Sequence, residues 1–190
     1  MEIQEHAEHA QDAGEHGNRR AALLIAVLAA ILAVSEQQAK RADIAVEENG
    51  IKAADVWNEY QAKSVRAALA RDLRGFAMTF DAPSAPDVAA RREAILRRLD
   101  ADQAHYEQDP DSGKTALAAR AQAFEARRER NLERSHTYDN ASAALQLGIV
   151  LATASVITAS RWLLRFAAAL GVAGLALAIL GAVAPELAVF

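Results

Sequence analysis

The chain has 190 residues, of which 52% are hydrophobic, and its 21 Lys and Arg against 25 Asp and Glu give a net charge of −4. This charge argues against a nucleic-acid partner, which would require a basic face. The absence of cysteine excludes disulfides, thiolate metal sites and cysteine nucleophiles. The hydrophobic residues gather near the two ends, whereas the middle is highly charged, and glycine and proline are few. Such a composition favours helix throughout.

The N-terminal tail, residues 1–18, is polar, acidic and rich in histidine. Its pattern is compatible with a short helix that ends at Gly14 or Gly17. The candidates for divalent-metal ligands in this tail are His6, His9 and His16. Histidines three residues apart share a helix face, but sites of this kind usually need ligands from a second helix. We therefore interpret the tail as a solvated segment and predict no cofactor, with metal binding as the alternative.

A first apolar run, residues 21–34, follows Arg19 and Arg20. The run is shorter than the roughly 20 residues that a bilayer requires, but extension to Gln38 with the two arginines snorkelling closes most of the gap. A signal-peptide core is a poorer interpretation, because the segment before it is long and acidic. The sequence predicts a first transmembrane helix over residues 19–38.

The next segment, residues 39–80, has the apolar periodicity of an amphipathic helix that packs on another helix. Its apolar residues recur mostly at intervals of three or four positions: Ile51, Ala54, Ala62, Val65, Leu69, Leu73, Phe76 and Phe80. Trp57 and Tyr60 lie one turn apart on a neighbouring face. We interpret these two residues as a widening of the core stripe. A partner-binding hot spot is the alternative, because both residue types are enriched there.

Two breaks divide the rest of the middle region into predicted helices over residues 88–107 and 114–140. The first break holds two prolines and ends at Asp87, a predicted N-cap. The second starts like a calcium loop, but Arg120 stands where a glutamate is needed, so we predict a plain turn. The last helix carries a heptad-like seam with alternating spacings of four and three: Leu117, Ala121, Phe124, Arg128, Asn131, Ser135 and Tyr138. The interaction candidates of the middle region are Trp57, Tyr60, Leu117, Phe124, Arg128 and Asn131.

Two further apolar segments, residues 141–160 and 166–184, are each long enough to span a bilayer. Residues 161–165 are predicted to form a short turn, and residues 185–190 a C-terminal tail. Small residues let transmembrane helices approach closely, and the predicted packing positions are Gly148, Ala152, Gly171, Gly174 and Ala178. The polar side chains expected to form helix–helix hydrogen bonds are Gln146, Thr153, Ser155 and Thr158. No ionisable residue lies in these two segments, which argues against ion pumps and proton-coupled transporters.

The lengths of the predicted helices agree with a hairpin. Residues 36–80 rise about 67 Å, and the two following helices together return about 70 Å. The predicted fold is an all-α membrane protein with three transmembrane helices and a long antiparallel helical-hairpin insert, similar to a coiled coil. Arginine pairs beside the tail and the 161–165 turn place both in the cytoplasm, and the stalk, residues 39–140, in the periplasm.

The string from Ala53 to Arg66, AADVWNEYQAKSVR, resembles the most recognisable segment of DUF4337, a bacterial membrane family of unknown function. The His/Glu-rich tail, the alanine-rich first span and the paired C-terminal spans are similar to that family as well, so the resemblance covers nearly the whole chain. It implies a bacterial membrane protein of three spans with a helical insert, and we predict a multi-pass protein of the inner membrane. It brings no catalytic residue or cofactor.

Three functions are compatible with this architecture. The first is a non-enzymatic scaffold in contact with membrane lipid, which forms a homo-oligomer and organises or accompanies a larger membrane protein complex. The second is an oligomeric pore lined by Gln146, Thr153 and Thr158. The third is a divalent-metal sensor that uses the histidine-rich tail. An enzyme is the class we least expect, because no acid–base pair, nucleophile constellation or phosphate loop has the required spacing.

Overall fold

A computed structural model describes residues 2–81 and 85–183, with side chains from residue 19 onward. It contains four helices: α1 (Glu2–Met78), α2 (Pro86–Gln108), α3 (Lys114–Thr158) and α4 (Arg161–Val183). These described ranges contain no β-strand, so the all-α prediction is confirmed for them. Three segments are long and apolar enough to cross a membrane, by length and composition: Arg19–Met78, Lys114–Thr158 and Arg161–Val183.

Helix α1 continues through both glycines of the N-terminal tail, so the predicted short helix does not end at Gly14 or Gly17. A glycine inside a helix costs only about 1 kcal/mol relative to alanine, against about 3 for proline, and α1 contains no proline. The described side chains do not include the histidine candidates His6, His9 and His16, and the described residues do not include the 185–190 tail. Among the residues that are described, no group of three or more His, Asp or Glu is placed to hold a metal ion.

Helix α1 ends where an arginine of α2 binds its last carbonyl groups. The backbone N–H of Thr79 donates to the Phe76 carbonyl over 3.1 Å, and the Thr79 hydroxyl donates to the same oxygen over 2.7 Å. The Arg92 guanidinium donates to the carbonyls of Ala77 and Phe80 over 2.7 and 2.9 Å. These bonds satisfy carbonyl groups that have no partner within the helix.

The start of α2 differs from the sequence prediction. Pro86 occupies the first turn, where its missing N–H is not needed. Ala85 holds the cap position without a side-chain hydrogen bond, and Asp87 lies inside the first turn. The predicted Asp87 N-cap is therefore wrong. A carboxylate in the first turn still interacts favourably with the positive end of the helix dipole.

Asp109 organises the turn between α2 and α3. Its carboxylate accepts hydrogen bonds from the backbone N–H groups of Asp111 and Ser112 and from the Ser112 hydroxyl, over 2.7 to 3.0 Å. The bonds from Ser112 hold the pKa of Asp109 below its usual value. A Cβ added to Gly113 would lie 2.5 Å from the Asp109 carbonyl oxygen, so this tight turn requires glycine.

Two residues connect α3 to α4. Ala159 adopts the left-handed conformation, with a φ of 51°, and Ser160 follows before α4 begins. A left-handed residue is a common way to end a helix, and it makes a longer connection unnecessary. The predicted turn over residues 161–165 is therefore wrong, because these residues already belong to α4.

The chain divides into two units, of which unit 2 is Glu47–Arg128 and unit 1 comprises the remaining described residues. In unit 2, α2 packs along the last part of α1. Arg71 pairs with Glu107 at 3.0 Å, and Arg74 pairs with Asp100 at 2.5 Å. These ion pairs are partly exposed, so they orient the helices more than they stabilise them.

Unit 1 joins α1, α3 and α4. The Ser135 hydroxyl donates to the Asp43 carboxylate over 2.5 Å, which connects α3 to α1. The Gln146 amide donates to Glu36 over 3.2 Å and makes a second connection between the same helices. Unit 1 thus contains parts of all three helices that are long and apolar enough to span a membrane.

Candidate interaction site on helix α1

The aromatic interaction candidates of unit 2 pack against a buried apolar cluster. Val56, Leu117 and Ala121 form this cluster, and the latter two are 0% exposed. The partly buried aromatic side chains that cover it are Trp57, Tyr60 and Phe124. Their apolar surface is used within the chain, as in the interpretation that Trp57 and Tyr60 widen the core.

The polar edges of these aromatic residues are also engaged. Trp57 Nε1 donates to Glu125 Oε1 over 2.8 Å, and the Trp57 and Tyr60 rings meet edge-on with centroids 5.4 Å apart. Lys114 Nζ lies 5.5 Å from the centroid of Tyr60, within the range of a cation–π interaction. Interface hot spots need accessible side chains. This cluster is therefore a weaker interface candidate than an exposed apolar face.

The last two interaction candidates do not join the cluster. Arg128 is exposed, and its stem passes Gly50, where an added Cβ would lie 3.6 Å from Arg128 Cδ. Asn131 is half-buried and belongs to unit 1. The structure therefore brings four of the six candidates together and places Arg128 and Asn131 elsewhere.

The apolar stripe that the sequence places on α1 is exposed. We define the α1 stripe as eight positions along one face of α1 together with Phe80, just after its end: Ile51, Ala54, Asn58, Ala62, Val65, Leu69, Leu73, Phe76 and Phe80. All nine positions are exposed, and the six large apolar side chains retain 48 to 65% of their accessible surface. The prediction that this face packs on another helix is wrong within the described chain.

Helix α1 packs inside unit 2 through its other side. Its buried residues there are small or medium in size: Ala53, Val56, Ala67 and Ala70. At about 3.6 residues per turn, they lie roughly half a turn around the helix from the α1 stripe. Small side chains let neighbouring helices approach closely. The chain's own helices thus cover the alanine-rich face and leave the large apolar side chains outside.

The spacing of the α1 stripe is regular. Its members are separated by three, four and four residues, so that Ile51, Ala62 and Leu73 begin successive repeats of eleven. An 11-residue repeat follows the helix surface with a slight right-handed drift. Side-chain size increases along the stripe from Ala62 onward, and the stripe ends with the rings of Phe76 and Phe80 in edge-on contact, their centroids 5.1 Å apart. Repeats of this kind are typical of helices that wind around each other.

The predicted membrane-packing positions lie in unit 1. Ala178 is half-buried, and the buried positions are Gly148, Ala152, Gly171 and Gly174. Leu28 of α1 lies against Gly148 and Gly171, and a Cβ added to Gly148 would be 3.1 Å from Leu28 Cδ1. A Cβ added to Gly174 would be 2.7 Å from Leu145 Cγ. The close approach of the helices depends on these missing side chains.

The hydroxyl groups of the second candidate span bond within their own helix. The side chains of Thr153, Ser155 and Thr158 donate to α3 carbonyls three or four residues earlier, over 2.7 to 2.9 Å. Such back-bonding satisfies a hydroxyl without a second helix. The prediction that these three residues connect helices is therefore wrong, whereas Gln146 does reach Glu36 of α1.

A family model matches most of the chain. Residues 17–184 match the model of a domain of unknown function, DUF4337. The chain belongs to the DUF4337 family. The resemblance drawn from the sequence is thereby confirmed. Neither the curated proteins nor the solved structures contain a match to the chain.

The DUF4337 match includes the whole α1 stripe, which sequence reasoning identified but assigned to the wrong neighbour. Periodicity of large apolar residues marks a face that avoids water, and it does not say which molecule covers that face. A second signal was present in the sequence. The alanines at positions 53, 67 and 70 form a small-residue face on the other side of α1, suited to close packing within the chain.

Proposed function

We propose that this DUF4337 protein is a non-enzymatic, membrane-anchored helical scaffold that self-associates through the α1 stripe. The observation that carries the proposal is the exposure of that stripe. The three long apolar helices supply the anchor. In this proposal they lie in a bacterial inner membrane, with the N-terminus and the α3–α4 connection in the cytoplasm and the helical insert in the periplasm.

The extent of the α1 stripe favours a second copy of the chain as its partner. The eight positions from Ile51 to Phe76 follow about 38 Å of α1, and Phe80 lies just beyond its end. Six large side chains, each about half exposed, present on the order of 500 Å² of apolar surface. Two facing stripes would remove about 1,000 Å² from water, the lower limit for a specific interface. Monomeric proteins rarely expose contiguous apolar patches larger than a few hundred Å².

The pattern of the α1 stripe also favours a partner with the same pattern. An 11-residue repeat matches an identical helix without any change of spacing. Copies inserted in one bilayer with the same topology run parallel, so equivalent positions meet. Asn58 is the polar member of the stripe. A single polar residue of this kind in a helical seam pairs with its equivalent and specifies the register.

The contacts inside unit 2 support the hairpin form of the insert. Arg71, late in α1, pairs with Glu107 of α2, whereas Trp57, earlier in α1, bonds to Glu125 of α3. This order is expected when the chain returns along α1 after its end. A hairpin of this thickness covers one side of α1 and leaves the other side available for association.

The oligomeric mass of the full-length protein in mild detergent, measured by native mass spectrometry, tests the proposal. We expect a homo-oligomer for the unmodified chain and for Ile95→Ser, and dissociation to monomers for Leu69→Ser. Leu69 and Ile95 are matched, since they are 56 and 58% exposed, but Ile95 lies on α2. A monomeric mass for the unmodified chain contradicts the proposal, as does an oligomer that Leu69→Ser leaves intact.

The absence of cysteine permits a second test in native membranes. A chain with the single substitution Leu69→Cys should form a disulfide-linked dimer under mild oxidation, because equivalent positions meet in a parallel pair. The matched chain with Ile95→Cys should stay uncrosslinked. Equal crosslinking of the two would indicate random collision in the bilayer.

A further inference from the structure

An apolar groove of about 460 Å³ lies in unit 1 between α1 and α4. Its aliphatic lining comes from Ala30, Ile31, Val34, Leu175, Ala178 and Ile179. The volume falls within the range of small-molecule sites. Both helices contain candidate spans, so on membrane insertion the open side of the groove faces lipid hydrocarbon. An acyl chain is the occupant that such surroundings supply.

One end of this groove is polar. Gln38 of α1 and Tyr138 of α3 line it there, beside the end of α4. The position of this end is set by Gly181, where an added Cβ would lie 3.4 Å from the Tyr138 ring. The groove therefore has the polarity of a lipid molecule, with an apolar length and a polar end.

Two arginines stand at the polar end. Arg134 lies one turn before Tyr138 on α3, and its Nε donates to the Gly181 carbonyl over 3.2 Å. Arg41 follows Gln38 by three residues and so lies one turn further along the same side of α1. Guanidinium groups bind phosphate through several N–H donors. Their position relative to the apolar lining suits the phosphate of a phospholipid.

Ser35 adds an unsatisfied polar group to the lining of the groove. It is 1% exposed, and its hydroxyl has no hydrogen-bond partner among the described residues. A buried group without a partner costs about 1–3 kcal/mol. Ser35 lies about 9 Å along α1 from Arg41, between the arginine and the aliphatic lining. The lining of the groove therefore becomes more polar from its aliphatic part toward the arginines.

We infer that this groove binds one acyl chain of an anionic phospholipid, with the lipid phosphate at Arg134 and Arg41. The inference does not depend on the α1 stripe or on self-association, because all residues of the groove belong to unit 1 of one chain. It differs from general solvation of the spans by lipid in two respects. It requires one retained lipid per chain, and it requires a preference for an anionic headgroup.

Native mass spectrometry of the full-length protein, delipidated in mild detergent and titrated with phosphatidylglycerol or phosphatidylcholine, tests the inference. We expect one retained phosphatidylglycerol per chain and weaker retention of phosphatidylcholine. Ala178→Phe, which fills the groove, should abolish the retained lipid. Val172→Phe is the matched control on the same helix, because Val172 is 69% exposed and does not line the groove. Equal loss in both variants would overturn the inference.

Arg134→Gln provides a variant that keeps a donor for the Gly181 carbonyl, so packing of α3 on α4 is preserved. Removal of one positive charge near the phosphate should weaken phosphatidylglycerol retention about fivefold and phosphatidylcholine retention less, because the choline ammonium offsets the phosphate charge of that lipid. Arg161→Gln, at the other end of α4, is the control and should have no effect. Retention of both lipids at equal strength, unaffected by Arg134→Gln, would show that no phosphate site exists here.

Discussion

Helices α1 and α3 each carry a line of regularly spaced residues that begins with apolar side chains, and the rest of the chain covers the two lines differently. The α3 seam, defined as Leu117, Ala121, Phe124, Arg128, Asn131, Ser135 and Tyr138, is buried at its two ends, whereas Arg128 in its middle is exposed. The α1 stripe is exposed along its whole length. In unit 2, Leu117 and Ala121 of the α3 seam pack with Val56, which lies on the buried side of α1. The comparison shows that close approach, and not apolar size alone, decides which faces meet within one chain.

The largest expected difference between the two lines lies in stability. Leu117→Ala should lower the free energy of unfolding of unit 2 by about 2–5 kcal/mol, because Leu117 is completely buried and its removal leaves a cavity. Leu69→Ala should change the same quantity by no more than about 0.5 kcal/mol, measured under dilute conditions where the chain is monomeric. Hydrogen exchange of the unit 2 amides measures both. Similar losses in the two variants would mean that the α1 stripe is buried against its own chain.

A second prediction compares two glycines, one inside the packed helices of unit 1 and one on α1 in unit 2. Gly148→Ala should cost about 1–3 kcal/mol, because the new Cβ would approach Leu28 to 3.1 Å and the Ala167 carbonyl to 3.2 Å. Gly75→Ala should stabilise by about 0.4–1 kcal/mol, since no atom lies within 4 Å of the new Cβ. Thermal unfolding of each unit, followed by hydrogen exchange, measures the two effects. Stabilisation by Gly148→Ala would show that the helices of unit 1 are further apart.

The helical class and the breaks around α2 were predictable from local chemistry. Both breaks contain residues that strongly favour turns: proline and aspartate at the first, and Asp109 with Gly113 at the second. The α3–α4 connection was misplaced because Ala159 and Ser160 carry no such signal, and a left-handed alanine is uncommon. The neighbour of the α1 stripe was misassigned because alanines, abundant throughout the chain, do not stand out as a packing face. The groove in unit 1 was not predictable, because its lining comes from three helices and the periodicity within one helix does not say which other helices lie beside it.

A third prediction concerns the polar member of the α1 stripe. Asn58→Leu should strengthen self-association, because an apolar residue replaces one whose desolvation opposes burial. It should also relax the register, so that single cysteines introduced at Leu69 or at neighbouring stripe positions crosslink with less selectivity. Analytical ultracentrifugation in mild detergent and the crosslinking pattern provide the two measurements. If Asn58→Leu instead associates more weakly, Asn58 makes a specific polar contact with a residue other than the Asn58 of the second copy.

The smallest effect concerns the turn that determines where the α3 seam begins relative to α1. Hydrogen bonds from Ser112 lower the pKa of Asp109, so its ionised form is favoured in the folded protein. The contribution of these bonds is fully present above the unfolded-state pKa of about 3.9 and is lost as the pH falls through the lower folded-state value. Hydrogen exchange at the Ser112 amide should therefore be constant from neutral pH to about 5, after correction for intrinsic rates, and should accelerate in the acid range below the unfolded-state pKa.

Asp109→Asn keeps an oxygen acceptor for the turn and should remove this acid dependence. An NMR titration that gives Asp109 a pKa at or above its usual value would show that the turn does not stabilise the ionised carboxylate. Gly113 alone would then determine where the α3 seam begins.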